Sequence, residues 1–284
     1  MRVAILAKAN DELANSTAQT LVEWLSEHDH EVQVDSVLAQ QVGLSGGVDR
    51  EALAQGAELA VVLGGDGTLL LAARLFSAAA VPIFGVNVGR LGFLTDTGPD
   101  DMLTVLEAVL EGDYEIQERL MLTGEVLREG EVVVGPFNAL NDIVVHKGEL
   151  AQVIRVETWV DESFVSKYTA DGLIFATPTG STAYGLAAGG PIVVPSAQVM
   201  LVAPICPHIL TNRPLVISGN SVASCIVVDS RGEVLVTIDG QEGFVLKPGD
   251  EVCVRRSENN ALMVQAASRD FFDVLRRKMG WGTQ

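Results

Sequence analysis

The chain has 284 residues, 48% hydrophobic and 20% charged, with 28 glycines and only 5% aromatics. That composition argues against a disordered or fibrous protein and leaves the core to Ala, Val, Leu and Ile. Lys plus Arg number 19 against 37 Asp plus Glu, a formal charge of −18, which argues against a nucleic-acid binder or a polybasic attachment to lipid, since both need a cationic surface.

Taken in chain order, residues 2–7 (RVAILA) read as a short buried strand. The apolar run stops at Lys8, too short for the h-region of a signal peptide. Residues 12–28 carry helical periodicity, 31–37 read as a second strand, and a Gly- and Ser-rich loop follows around Gly43 to Gly47. Residues 58–63 form a strand that runs into GGDGT, 68–80 a helix, 82–86 a strand and 99–111 a helix. Strands alternating with helices predict a parallel α/β sheet of Rossmann-like type. After about residue 115 the texture turns β-rich, with strands at 119–127, 131–135, 141–146, 153–160, 222–229, 233–238 and 251–256. Helical pattern resumes at 269–279. The expected organisation is an α/β domain over 1–115, a larger β-rich domain over 116–265, and a C-terminal helix and tail over 266–284 that can pack back on the first domain. The three cysteines, Cys206, Cys225 and Cys253, form no CxxC pair and read as free core thiols in a reducing cytoplasm.

From Gly172 to Asn212 there is no Asp, Glu, Lys or Arg. Turn residues and prolines break the run, so it predicts buried protein backbone rather than a membrane span.

Four segments carry chemistry. Gly64-Gly65-Asp66-Gly67-Thr68 sits between a strand and a helix. Glycines let a backbone approach an anion, and a helix N-terminus offers N–H groups with a favourable dipole. Asp66 would repel phosphate there, so it needs a reason: Mg²⁺ binding, acceptance of a proton from an attacking hydroxyl, or plain N-capping. Asn87, at the end of the next strand, could orient a ligand or close an Asx-turn. Asn141-Asp142 offers an amide beside a carboxylate, suited to a base or ribose, or a simple turn before a strand. Asp171 leads through Gly172 into TPTGSTAY (177–184), dense in hydroxyls, where Ser181 or Thr182 could cap a helix over 182–188. His146 and His208 are isolated, and neither suggests a hydrolase.

Together these segments resemble the NAD kinase family. GGDGT at 64–68, VNVGRLGFL at 86–94, Asn141-Asp142, DGLIFATPTGSTAYGLAAGGPIV at 171–193, PICPH at 204–208 and LRRKMGW at 275–281 stand in that family's order. The resemblance implies transfer of a phosphoryl group from ATP, with Mg²⁺, to the 2′-hydroxyl of the adenosine ribose of NAD. It makes Asp66 the general base on that hydroxyl, with Gly64, Gly65, Gly67 and Thr68 in the nucleotide loop and Asn87 near it. It puts Asn141 and Asp142 on the adenosine and Asp171 towards the nicotinamide. Ser181, Thr182, Ala183, Tyr184, Gly185, Leu186 and Ala187 would line the dinucleotide site, with Gln241 at its edge. Thr169 stands where many members have Arg, and Gln152 where some relatives have a ring or basic side chain. The family usually completes its site with a neighbouring subunit, which implies a homo-dimer or homo-tetramer. The competing readings are a lipid or sugar kinase of the same broad fold, and a non-catalytic dinucleotide sensor. With anionic ligands, a chain at −18 needs a neutral or locally positive site, and Lys8, Arg90, Lys147, Lys167 and Arg213 are the cations near motif text.

Overall fold

The computed structural model describes residues 1–89, 92–95, 97–148, 153–230, 232–265 and 270–281. They form two compact units, Met1–Glu118 with Ala261–Gln284, and Arg119–Asn260.

The first unit begins with β1 (Arg2–Ala7), α1 (Glu12–Glu27), β2 (Glu31–Val34), α2 (Ser36–Val42), β3 (Leu59–Gly64), α3 (Asp66–Phe76), β4 (Ile83–Asn87), α4 (Met102–Leu110) and β5 (Glu115–Arg119). Strand β1 pairs parallel with β2 and β3, and β3 parallel with β4. Val3, Ala4, Ile5, Leu6 and Ala7 are all buried, which is why this strand is apolar without alternation. Helix α1 buries Ala14, Thr17, Ala18, Leu21, Val22 and Leu25, one stripe at helical spacing. Asp11 caps it by accepting from the Ala14 N–H at 3.1 Å. The strand expected over 31–37 stops at Val34 because Asp35 caps a helix the sequence reading missed. Its carboxylate accepts from the Leu38 N–H at 2.8 Å, and Gly43, at φ 73°, closes α2.

The second unit contains β6 (Leu122–Arg128), β7 (Glu131–Ala139), β8 (Asp142–Lys147), β9 (Ile154–Val160), β10 (Ser163–Ala170), β11 (Gly172–Ala176), α5 (Tyr184–Ala187), β12 (Val199–Ile205), β13 (Leu215–Ser218), β14 (Ala223–Asp229), β15 (Val234–Ile238), β16 (Glu242–Leu246) and β17 (Glu251–Arg256). Two sheets result, in the orders β10-β9-β14-β17-β6-β7 and β13-β12-β11-β8-β15-β16. Both contribute to one core containing Val126, Ile143, Val156, Phe175, Val202, Cys225 and Val252. Pairing in β11 is antiparallel on both sides. Leu173 and Phe175 enter the shared core, while Ile174 and Ala176 join Val144, Leu201 and Ala203 on the opposite face. Ala188, just after α5, packs on that second cluster. Covered on both faces, GLIFA has no place for a charge, which explains this part of the uncharged run. No helix among the described residues is long and apolar enough to cross a membrane.

The chain then supplies β18 (Ala261–Gln265) and α6 (Phe271–Met279) to the first unit. Residues 261–265, assigned above to the β-rich domain, lie parallel to β4, through Met263 opposite Ile83. The first sheet reads β2-β1-β3-β4-β18-β5. The cysteines are free, as expected, but only Cys225 is a buried core thiol. Cys253 is half-buried, and Cys206 is exposed at a left-handed φ of 45°.

Candidate active site

Two groups of predicted residues are positioned by these units, one in each. In the first unit, β1 and β3 are adjacent while β2 lies on the other side of β1, so the strand order reverses between them. Open α/β sheets bind ligands outside the carboxyl ends of strands at such a reversal. A cavity of about 370 Å³ lies there, lined by Lys8 after β1, Gly65, Gly67 and Thr68 after β3, and Val88 and Gly89 after β4.

The glycines have separate tasks. A Cβ on Gly64 would sit 2.2 Å from Thr68 Oγ1, so Gly64 lets the first turn of α3 close on the strand end. A Cβ on Gly65 would meet nothing within 4 Å, which leaves its backbone open to a ligand. Gly65 is the N-cap of α3 and Asp66 its first helical residue. Asp66 is therefore not the capping aspartate that simple turn chemistry would make it. Its carboxylate reaches across to the segment after β4, where Oδ2 accepts from the Phe93 N–H at 2.9 Å and Oδ1 from the Leu94 N–H at 3.1 Å. Asn87 does close an Asx-turn, its Oδ1 accepting from the Gly89 N–H at 3.0 Å. The turn fixes the strand exit that carries Val88 and Gly89 into the cavity wall.

In the second unit, segments distant in sequence meet. Thr177 N–H donates to the Asn141 carbonyl at 2.9 Å, and Thr177 Oγ1 donates to the Leu140 carbonyl at 2.5 Å. The same hydroxyl accepts from the Gly180 N–H at 3.0 Å. A Cβ on Gly180 would lie 2.1 Å from the Asn141 carbonyl oxygen. Only glycine lets the TPTGST turn seat on the Asn-Asp turn. Ser181 and Thr182 do not cap α5, as the sequence had allowed. Ser181 Oγ donates to Pro178 at 2.6 Å and accepts from the Val193 N–H at 2.9 Å, and Thr182 Oγ1 donates to Thr179 at 3.1 Å. Ala183 is the N-cap, with no side-chain bond. These hydroxyls fold the turn back on itself through neutral hydrogen bonds to the backbone. Tyr184, Gly185, Leu186 and Ala187 form α5, and Tyr184 is exposed at its surface.

Two residues escaped the sequence reading. Asp239, at φ 51° between β15 and β16, accepts from the N–H groups of Leu140 (3.1 Å), Asn141 (2.8 Å) and Asp142 (3.1 Å), and returns its own N–H to the Asp142 carbonyl at 2.9 Å. The signal was an Asp-Gly turn after an alternating strand. Gln241 closes the same turn by donating its N–H to Ile238 at 2.9 Å. Burial, and then the Asp239 charge, push the Asp142 carboxyl up to about 7. Arg119 is the second. Its Nη1 donates to Thr179 Oγ1 at 3.4 Å, and burial pushes its guanidinium down to about 10.

Asp171 opens β11 and pairs with Lys147 at 2.8 Å, so a cation from β8 stands beside it although position 169 lacks one. Thr169 lies on β10 opposite Arg155, its carbonyl accepting from the His208 N–H at 2.9 Å. The Tyr184 phenol is pushed up by burial, and further by the negative charges of Cys206, Asp171 and Asp142. Lys167 is engaged with Glu157 at 2.8 Å, and Lys8 with Asp11 at 2.8 Å. His146 Nδ1 contacts the Lys147 carbonyl at 2.8 Å, a structural arrangement. Gln152 and Arg90 lie outside the described residues. No group of three or more His, Cys, Asp or Glu that could hold a metal converges among the described residues.

Residues 3–114 match the family described as ATP-NAD kinase N-terminal domain, and residues 140–266 match ATP-NAD kinase C-terminal domain. The chain is 44% identical over 281 residues to the NAD kinase of Geotalea daltonii, covering 99% of both chains. It is 46% identical over 282 residues to that of Trichlorobacter lovleyi, again at 99% of both. Among solved structures, yeast NADH kinase complexed with NADH superposes with a TM-score of 0.92 at 26% identity, covering 100% of this chain and 89% of that one. An NAD kinase from Archaeoglobus fulgidus in complex with ATP gives 0.78 at 27% identity, covering 99% and 98%.

Proposed function

The chain belongs to the ATP-NAD kinase family and phosphorylates NAD with ATP; we propose that the acceptor is the 2′-hydroxyl of the adenosine ribose and that Asp66 is its general base. The observation that carries this reading is the use made of Asp66. It stands in a glycine turn at a helix N-terminus without capping the helix, so its carboxylate is held for another purpose. Each oxygen accepts one backbone N–H and keeps lone-pair capacity for a further proton.

In the reaction the ribose oxygen bonds to the γ-phosphorus as the bond from that phosphorus to the β-bridging oxygen breaks. The hydroxyl proton passes to Asp66 and ADP leaves. The residues around Gly65 and Gly67 hold phosphate oxygens against the N-terminus of α3, where backbone donors and the helix dipole favour negative charge. Asn141 and Asp142 recognise the adenosine, Asp171 lies towards the nicotinamide, and Thr182 to Ala187 line the dinucleotide. These assignments rest on the match of each residue to the family's motifs and on the convergence of 140–142 with 177–180. Mg²⁺ is proposed to arrive chelated by the nucleotide's phosphates, where it neutralises charge and needs few protein ligands.

A neighbouring subunit is proposed to complete the site in a homo-dimer or homo-tetramer, and the free thiols fit a reducing cytoplasm. The decisive assay incubates the purified chain with NAD or NADH as acceptor and ATP or polyphosphate as donor, with and without EDTA, and follows ³¹P NMR. The expected product carries a 2′-phosphomonoester, forms from NAD and ATP, and disappears with chelator. A phosphate elsewhere on the dinucleotide would overturn the assignment.

A further inference from the structure

The segment that follows β4 is built around the Asp66 side chain. Gly92 packs directly beneath it. A Cβ there would lie 2.0 Å from Oδ1, 2.7 Å from Cγ and 3.0 Å from Oδ2. No side chain but hydrogen fits, because the contact is with both the hinge carbon and the oxygens of the carboxylate. The next two residues supply the N–H groups of Phe93 and Leu94, one to each oxygen. The segment is itself tied down. Asn87 N–H donates to the Thr97 carbonyl at 2.8 Å, and Thr95 packs its methyl against Gly85, where a Cβ would come within 2.4 Å. The Phe93 ring carries Lys278 Nζ of α6 over its face at 5.4 Å.

We propose that Gly92, with the amides of Phe93 and Leu94, forms a clamp that positions the Asp66 carboxylate for proton acceptance, so that Gly92 is a positioning residue of the reaction. The inference rests on the base role given to Asp66 above. Its physical content is directional. Two charge-assisted bonds from adjacent amides fix both oxygens in one plane, and the missing side chain at 92 is the space that plane occupies. Glycine here is therefore required by a contact from another segment rather than by its own backbone angles.

The test is a double-mutant cycle on the full chain, with G92A, D66N and the combination, and with G98A as control. Gly98 belongs to the same connection, and a Cβ there meets nothing within 4 Å. G92A is expected to lower kcat roughly ten- to a hundred-fold, the range for a displacement of about 1 Å at a catalytic group. The Michaelis constants should stay within about two-fold and G98A should match wild type. In the D66N background, G92A should add no further loss, because the two act as one unit. An independent readout is the amide proton shifts of Phe93 and Leu94 in ¹⁵N-edited NMR. Both should move in G92A towards their values in D66A, and G92A should move them no further in D66A. Full kcat in G92A, equal losses in both backgrounds, or unmoved amide shifts would each overturn the clamp. A highly active D66N with moved amide shifts would instead remove the base role while leaving the clamp's geometry standing.

Discussion

At the scale of single residues, two carboxylates of the motif text sit in different surroundings. Asp66, at the start of α3, is held by the amides of Phe93 and Leu94 in the connection after β4. Asp142 is buried beside a second acid, Asp239, and its carboxyl titrates near 7 instead of in the ordinary carboxylate range. The sign for stability follows. A group whose folded pKa is raised contributes stability below its unfolded pKa and loses it as pH rises through the folded value. Stability should therefore fall between about pH 4 and pH 7, by a few kcal/mol at most. Asp142→Asn should flatten that dependence and unfold at higher urea than wild type at pH 8; an unchanged pH slope in paired melts would contradict the burial argument. On the proposed role, an ionised Asp142 accepts from the adenosine. The Michaelis constant for NAD should then rise as pH drops below about 7, while that for ATP stays flat.

At the scale of elements, the glycines divide by what surrounds them. Gly180 lies under the Asn141 carbonyl and Gly65 faces open space. Gly180→Ala must push apart two turns that share the Thr177 hydrogen bonds, so it should cost about 1–3 kcal/mol of stability, the range for overpacking. Gly65→Ala should leave the urea midpoint unchanged yet weaken nucleotide binding several-fold, since its new methyl enters the space a phosphate would use. Equal stability losses for the two variants would refute the division. This is also where the sequence was legible and where it was not. The apolar strands β1, β3 and β4 and the helices α1 and α4 were visible because each buries a continuous run or a single stripe. α2 was missed because Asp35 and Gly43 cap it within seven residues, too few for periodicity to register. β12 was missed because it is buried along nearly its whole length and shows no alternation, β13 because it is only four residues long, and β10 because its polar Ser166 and Lys167 blur it. At the site, Asp66, Asn141 and Asp142 could be named from motif text. Asp239 could not, because its significance lies in backbone bonds to residues nearly a hundred positions earlier.

At the scale of the whole molecule, the charge of −18 opposes anionic substrates. Screening acts over about 8 Å at physiological ionic strength, so the opposition is strongest in dilute buffer. The Michaelis constants for NAD and ATP should fall moderately as salt rises from low levels. A steep rise would reveal a basic funnel that the paired cations Lys8, Lys147 and Lys167 do not suggest. The composition that first argued against nucleic acid and membrane also restricts how the chain can hold its ligands: by glycine backbone, by neutral hydroxyls, and by few cations already engaged with acids. In that economy of charge, one carboxylate aimed out of a phosphate-binding turn is the feature on which the account depends. The most direct measurement is therefore Asp66→Asn, with kcat from NADP formation and the Kd for NAD from calorimetry on the same preparation. Turnover should drop by two or more orders of magnitude, the scale of general-base loss, while the Kd stays within about two-fold. Near-normal turnover would contradict the base assignment, and loss of NAD binding would show that Asp66 serves affinity instead.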